Sequence, residues 1–187
     1  MNKFELLNWL QEQYERWKAL LDQIGPERMD QPGVNGDWSM KDIVAHLTGW
    51  NHWLVIRLQA AGRGVMKPPP PHLHCTERTI CQANRVQVWP AHLPTEDEIN
   101  AWSYESNRGR SVREVLDEAD RSFQQLLAVI DGLPDEVRIE TIQVAPDREF
   151  YLVWLGKERF PPGEFFDHFL DDHEPDVRAW LARVETQ

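Results

Sequence analysis

Residues 39–61 read SMKDIVAHLTGWNHWLVIRLQAA, and the spacing of their apolar residues decides the fold. Ile43, Leu47, Trp50, Leu54, Leu58 and Ala61 recur every three or four positions. That period lays one apolar stripe along a helix. Ser39 stands where an N-cap belongs, and Asp42 completes a capping box. Gly62-Arg63-Gly64 ends the element.

The same reading extends in both directions. Upstream, Phe4, Leu7, Leu10, Tyr14, Trp17, Leu21 and Ile24 predict a helix over 2–24, stopped by Gly25-Pro26. Between the two helices, Asp30 to Asp37 contains Pro-Gly and Asn-Gly pairs, which mark a loop. Downstream, Thr95 followed by Glu96, Asp97 and Glu98 starts a helix that runs to about Asn107, with acidic residues in its first turn. Ser111 and Glu114 form another capping box. Val112, Val115, Ala119, Phe123, Leu126 and Ile130 form its stripe, ended by Gly132 and Pro134. These pieces are one bent helix or two. The last helix follows Pro161-Pro162-Gly163, with Phe166, Phe169, His173, Val177, Trp180 and Val184 on one face and Leu170 beside them. Pro175 lies inside this pattern and predicts a kink, with a freed carbonyl about one turn back.

Two stretches resist the helical period. Val137, Ile139, Ile142 and Val144 suit a short extended segment, and Phe150 to Leu155 is an apolar run that periodicity cannot assign. Residues 65–94 show no sustained period. Pro68 to Pro71 favour extended polyproline II. A loop this long is either a lid or binding loop, or a solvated insertion. Four amphipathic helices without a convincing strand set predict an all-α antiparallel four-helix bundle. The expectation is one domain over 1–187, with a long Pro-rich loop at 65–94 between the second and third helices.

Composition bounds the function. The chain has 187 residues, 20 Lys plus Arg against 31 Asp plus Glu, and a formal charge of −11. This balance argues against nucleic-acid binding, which needs basic residues on phosphates. It also argues against anionic membrane surfaces. Glu5 and Glu12 interrupt the N-terminal apolar pattern, so no signal peptide is expected, and no apolar run is long enough to span a membrane. Cys75 and Cys81 sit too few and too close for a disulfide framework and read as free thiols, so a cytoplasmic protein is expected. Nine Trp against three Tyr point to a heavy core or an aromatic-lined pocket. Trp exposed on a helix face would favour a homodimer.

No dinucleotide, Walker, nucleophile-elbow or paired-cysteine motif is present. Histidines on helices remain. His46, His168 and His173 from two facing helices are candidate metal ligands, since three protein ligands and an open position are the catalytic zinc pattern. The pair His168/His173 is spaced i, i+5, about 140° apart on a straight helix. Both rings reach one metal only through a π-bulge or a kink. Otherwise Asp172, at i+4 from His168, replaces one ligand, or His46 and His173 are imidazoles satisfied by hydrogen bonds. His72 and His74 beside Cys75 offer a weaker local clip. Glu164, Asp167, Asp171 and Asp172 cluster at the last helix, where most favour the helix dipole or a solvated face. Asp171 or Asp172, held among aromatics, is the candidate general base.

Residues 32–50, Pro-Gly-Val-Asn-Gly-Asp-Trp-Ser-Met-Lys-Asp-Ile-Val-Ala-His-Leu-Thr-Gly-Trp, resemble the signature of the ClbS/DfsB group within the DinB-like superfamily. The opening Asn2 to Leu7, Asn107 to Ser111 with Val115-Leu116, His168-Phe169 and Pro175 to Leu181 match it too. The resemblance covers roughly three quarters of the chain. It implies an up-down-down-up bundle, and in many members a metal on three histidines, one on the second helix and two on the last. His46 takes the first place and His168 the second. His173 takes the third only with one extra residue. The activity it implies is hydrolytic opening of an electrophilic metabolite.

Four functions follow as expectations. The first is a hydrolase or detoxification enzyme with His46 and Asp171 or Asp172 at work, and with Trp38, Trp50, Trp53 and Phe169 lining the substrate pocket. The others are a binder that sequesters a metabolite, a metal- and thiol-dependent transferase, and a regulatory bundle. A small-molecule partner is common to the first three. The metal, where present, is zinc or nickel.

Overall fold

The computed structural model describes residues 1–64, 95–146 and 148–186. The Pro-rich stretch, with Cys75, Cys81, His72 and His74, lies outside the described residues. Helix α1 spans Lys3–Ile24 and α2 spans Met40–Gly62. Helix α3 covers Glu96–Asn107, and α4 covers Val112–Asp131. The two candidate pieces at 95–131 are thus separate helices. Each of these four begins with a closed capping box: Asn2 with Glu5, Ser39 with Asp42, Thr95 with Glu98 and Ser111 with Glu114. Each box satisfies N–H groups that the first helical turn leaves without partners.

Two small antiparallel sheets complete the fold. Strands β1 (Pro32–Asn35) and β2 (Trp38–Ser39) form a hairpin that turns at Gly36-Asp37, with Gly36 at φ +57°. The Asn-Gly pair read as a loop is a hairpin turn, which needs positive φ. Strands β3 (Arg138–Ala145), β4 (Arg148–Leu155) and β5 (Glu158–Phe160) form a three-stranded sheet in that order.

The all-α expectation is therefore corrected: the protein is mostly helical with small sheets. The cause is visible in β4, the middle strand. Tyr151, Leu152 and Val153 are all buried, so both faces are covered and no alternation of apolar and polar residues appears.

Helix α2 lies at the centre. It packs on α4, on α3 and on the start of the last helix, and touches β2 and β5. Its first half is buried on every side from Met40 to Thr48. Helix α1 packs on α4. It buries Leu6, Leu10, Tyr14, Trp17, Leu20 and Ile24, while Phe4 is 70% exposed. The helical period holds, but the buried face is rotated from the expected Phe4–Leu7–Leu21 line. Trp9 explains part of the rotation, since it packs edge-on against Tyr151 and Phe166.

The last helical region is not one α-helix. Helix α5 (Glu164–His168) passes into a π-helical turn at Phe169–His173, and α6 (Glu174–Val184) continues from it. No helix among the described residues is long and apolar enough to cross a membrane. The exposed large hydrophobic residues described are Met1, Phe4, Val144 and Leu170. No exposed Trp face of the kind that would favour a dimer appears among them.

Candidate metal centre

The π turn sets the geometry. Glu174 donates its backbone N–H to the Phe169 carbonyl, five residues back. Pro175 follows at once and has no N–H to donate, so a regular α ladder would break there in any case. The turn takes up one extra residue, as π-bulges do, and such bulges concentrate at functional sites. It also keeps the core in register. Phe169 and Val177 are both buried, eight residues apart. On a straight helix eight residues overshoot two turns by about 80°. The wide turn removes most of that overshoot, and it brings His173 over His168.

Three imidazoles therefore meet. His46 comes from α2, His168 from the end of α5 and His173 from the end of the π turn. The Nε2 atoms of His46 and His168 are 3.5 Å apart. The His168 and His173 rings stack at 5.0 Å and 25°, and His46 stands edge-on to both. One nitrogen from each ring lies within 4.8 Å of the others. Two imidazole nitrogens on a tetrahedral ion, each at about 2.0–2.1 Å from it, stand roughly 3.3 Å apart. The His46–His168 pair is already close to that value, while the widest separation in the triad, up to 4.8 Å, must close by about 1.5 Å.

The electrostatics fit a cation held by neutral nitrogens. Burial pushes His46 down to about 3, helped by the charges that His168 and His173 would carry. Burial also lowers His168 against the pull of Asp172, Glu96 and Asp171, and lowers His173, with His168 adding to the effect. All three stand as neutral imidazoles at neutral pH, ready to give lone pairs. Both ring nitrogens of His173 are buried without a hydrogen-bond partner. A buried polar group left unsatisfied costs free energy, and a metal ion would relieve it. Asp172 Oδ2 lies 3.6 Å from His168 Nε2, within reach of the same centre.

A cavity of about 360 Å³ opens beside the triad. His46, His168, Trp50, Phe150 and Asn100 line it with Glu96, Glu164, Asp167, Asp171 and Asp172. Asp171 accepts two hydrogen bonds from Arg148, at 2.6 and 2.8 Å, and these hold its carboxyl below the usual range. Asp167 is pushed up to about 6 by burial, against Arg148 and with Asp171 and Glu164 adding to the rise.

The aromatic residues expected at the pocket divide. Trp50 lines the cavity and packs edge-on to His46 and His168. Trp38 packs edge-on to His46 and stacks on Tyr104. Trp53 packs against Trp50 and lies under the Arg57 guanidinium. Phe169 turns away and packs on Trp17 of α1 at 4.7 Å.

Sequence reading gave no role to Glu96, Asn100 or Phe150. Phe150 sits in the strand that periodicity left unassigned, and the first turn of α3 looks solvated from its charges alone. It also found no signal in His52. That imidazole is buried 3.3 Å from Glu118, whose other oxygen pairs with Arg110. Arg110 donates to Asn107 Oδ1 at 2.8 Å. Lys41, also buried, caps the same turn through the carbonyls of Arg108 and Arg110. This charged network fixes α3 and α4 against α2, behind the triad.

The sequence profile of the DinB superfamily matches residues 10–158. The chain belongs to the DinB superfamily. No curated protein and no solved structure matches it significantly. Among DinB chains, metal binding is common, and His46, His168 and His173 form the candidate triad of this one.

Deletion of Leu170, which is 37% exposed, tests the bulge directly. The shortened helix would carry its two histidines at i, i+4 and keep the apolar stripe in register. Zinc affinity should stay within about tenfold of wild type, and thermal stability should hold, since the regular α ladder replaces the wide turn. Loss of zinc binding with native helicity by circular dichroism would contradict the inserted-residue account.

Proposed function

We propose that this DinB chain is a metal-dependent hydrolase of the ClbS/DfsB type, acting on an electrophilic small molecule in the cavity beside the triad. The observation that carries the reading is the convergence of three neutral imidazoles, two of which, His46 and His168, line that cavity. On this reading α1, α2, α4 and the α5–α6 unit are the antiparallel bundle of a single domain, and they share one buried apolar cluster.

His46, His168 and His173 would hold the ion, zinc or nickel, which supplies Lewis acidity when bound. The chain's own residues do the rest. Asp172 lies close enough to the centre to accept a proton from an attacking water. Asp171, tied to Arg148, positions the wall of the cavity instead. Trp50 and Phe150 line the cavity and keep bulk water from the substrate. Burial of His46 holds its ring neutral and fixed by Trp38 and Trp50.

The same triad would serve a thiol-dependent transferase, and the two readings separate by whether a thiol is consumed with the electrophile. The test is turnover of a panel of epoxides, activated esters and cyclopropanes by protein stripped with a chelator and then reloaded. Product should exceed protein, vanish on stripping and return with zinc or nickel. Turnover that survives stripping unchanged, with metal absent by elemental analysis, would overturn the metal-dependent reading.

A further inference from the structure

The cavity wall carries more than the triad needs. Glu96 from α3, Glu164 and Asp167 from α5, and Asp172 from the π turn all line it, and no Lys or Arg does among the described residues. Asp171 is neutralised by Arg148. Arg57 acts on Glu164 from outside the lining but is itself paired with Glu158. A divalent ion on the three neutral imidazoles would offset two of the four remaining charges, so the cavity stays negative with the ion in place. Two aromatic faces, Trp50 and Phe150, complete the same wall. His46, 4% exposed, lines the same space, so it is bounded by a built site and not by a surface cluster alone.

Carboxylates and aromatic faces around one space are the chemistry that holds an organic cation. The carboxylates supply Coulomb attraction, and the ring faces add a cation–π contribution that grows as water is excluded. The same wall repels a carboxylate-bearing molecule, which includes the common anionic low-molecular-weight thiols.

We propose that the substrate of this site is an organic cation, a small molecule with a protonated amine or quaternary ammonium beside an apolar portion. Glu96 and Glu164 are its counter-charges, and Trp50 and Phe150 its aromatic faces. The electrophilic bond to be opened lies at the triad end, and the cationic end lies between α3 and α5. The inference rests on the reading of the cavity as the substrate site.

The test uses three probes of one size: benzylammonium, benzyl alcohol and benzoate. Each is titrated calorimetrically into the full chain at pH 8, with and without one equivalent of zinc. Benzylammonium should bind at least about tenfold more tightly than benzyl alcohol, and benzoate should not bind. Glu164→Gln and Glu96→Gln should each erode that preference several-fold. Asp117→Asn, a distant exposed site paired with Arg113, should leave it intact. Equal affinity for the three probes, a preference for benzoate, or a preference that Asp117→Asn erodes as much as Glu164→Gln would overturn the proposal. Zinc binding with no cation preference would sink this inference and leave the metal-dependent reading standing. Cation preference without zinc binding would do the reverse.

Discussion

His173→Ala should lose more than a hundredfold in affinity for zinc or nickel and still fold. Mutations that only disturb the partners of metal ligands cost tenfold to a hundredfold. Removal of a ligand from a set of three exceeds that range. The fold should survive because His173 makes no hydrogen bond that the chain relies on. Both its ring nitrogens are buried without a partner, so the imidazole costs stability in the metal-free protein. The variant without metal should therefore match or exceed the metal-free wild type in thermal stability. Metal-loaded wild type should be more stable than both, since a ligand that binds only the folded state stabilises it by mass action. His46→Ala should show the same loss of metal. Zinc titration followed by calorimetry, with melting curves of each form, checks both halves. Equal zinc affinity in His173→Ala and wild type would show that the π turn brings the two rings together for some other reason.

Glu118→Ala should destabilise the chain by about 3 kcal/mol, among the largest effects of any single change outside the core. Glu118 is 6% exposed and bridges His52 of α2 to Arg110 at the start of α4. Its removal leaves a half-buried guanidinium and a buried imidazole without their partner. In a domain of this size the midpoint of unfolding should fall by on the order of 10 °C. Glu118→Gln, which keeps the shape, should lose less.

The pH dependence carries a definite sign. Burial pushes the Glu118 carboxyl up, but the hydrogen bond from His52 and the charge and hydrogen bond of Arg110 outweigh it, and the net shift is downward. Its contribution is therefore full above the ordinary carboxylate range, about pH 4.3. It drains as the pH falls through the lower value the group has in the fold. The stability gap between wild type and Glu118→Ala should narrow steadily as the pH falls below that range. A constant gap from pH 7 to pH 3 would mean that packing, and not charge, sets the effect.

The helices were legible because their signals are local. The capping boxes at Ser39 with Asp42 and Ser111 with Glu114 lie within four residues each, and apolar stripes at helical period need no knowledge of the rest of the chain. The sheet was not legible, because β4 is covered on both faces and Tyr151-Leu152-Val153 alternates nothing. The hairpin at Gly36 was read as a loop for a related reason: two residues of β2 are too short to carry a period.

The triad was half legible. His46, His168 and His173 stood out as histidines on two facing helices, but the i, i+5 spacing of the last pair argued against a common centre. What brings them together is a single extra residue in one turn. The π geometry depends on Pro175 removing a donor and on Phe169 and Val177 both reaching the core. The acidic and aromatic wall was scattered over α3, β4, α5 and the π turn. No window of sequence holds Glu96, Phe150 and Glu164 together.

The most direct test of the triad is metal content per chain by elemental analysis on untagged protein, beside a His46→Ala control. The account predicts about one zinc or nickel per wild-type chain and none in the control, with both proteins folded. Metal-free wild-type protein that stays metal-free after incubation with excess zinc or nickel and desalting would contradict it.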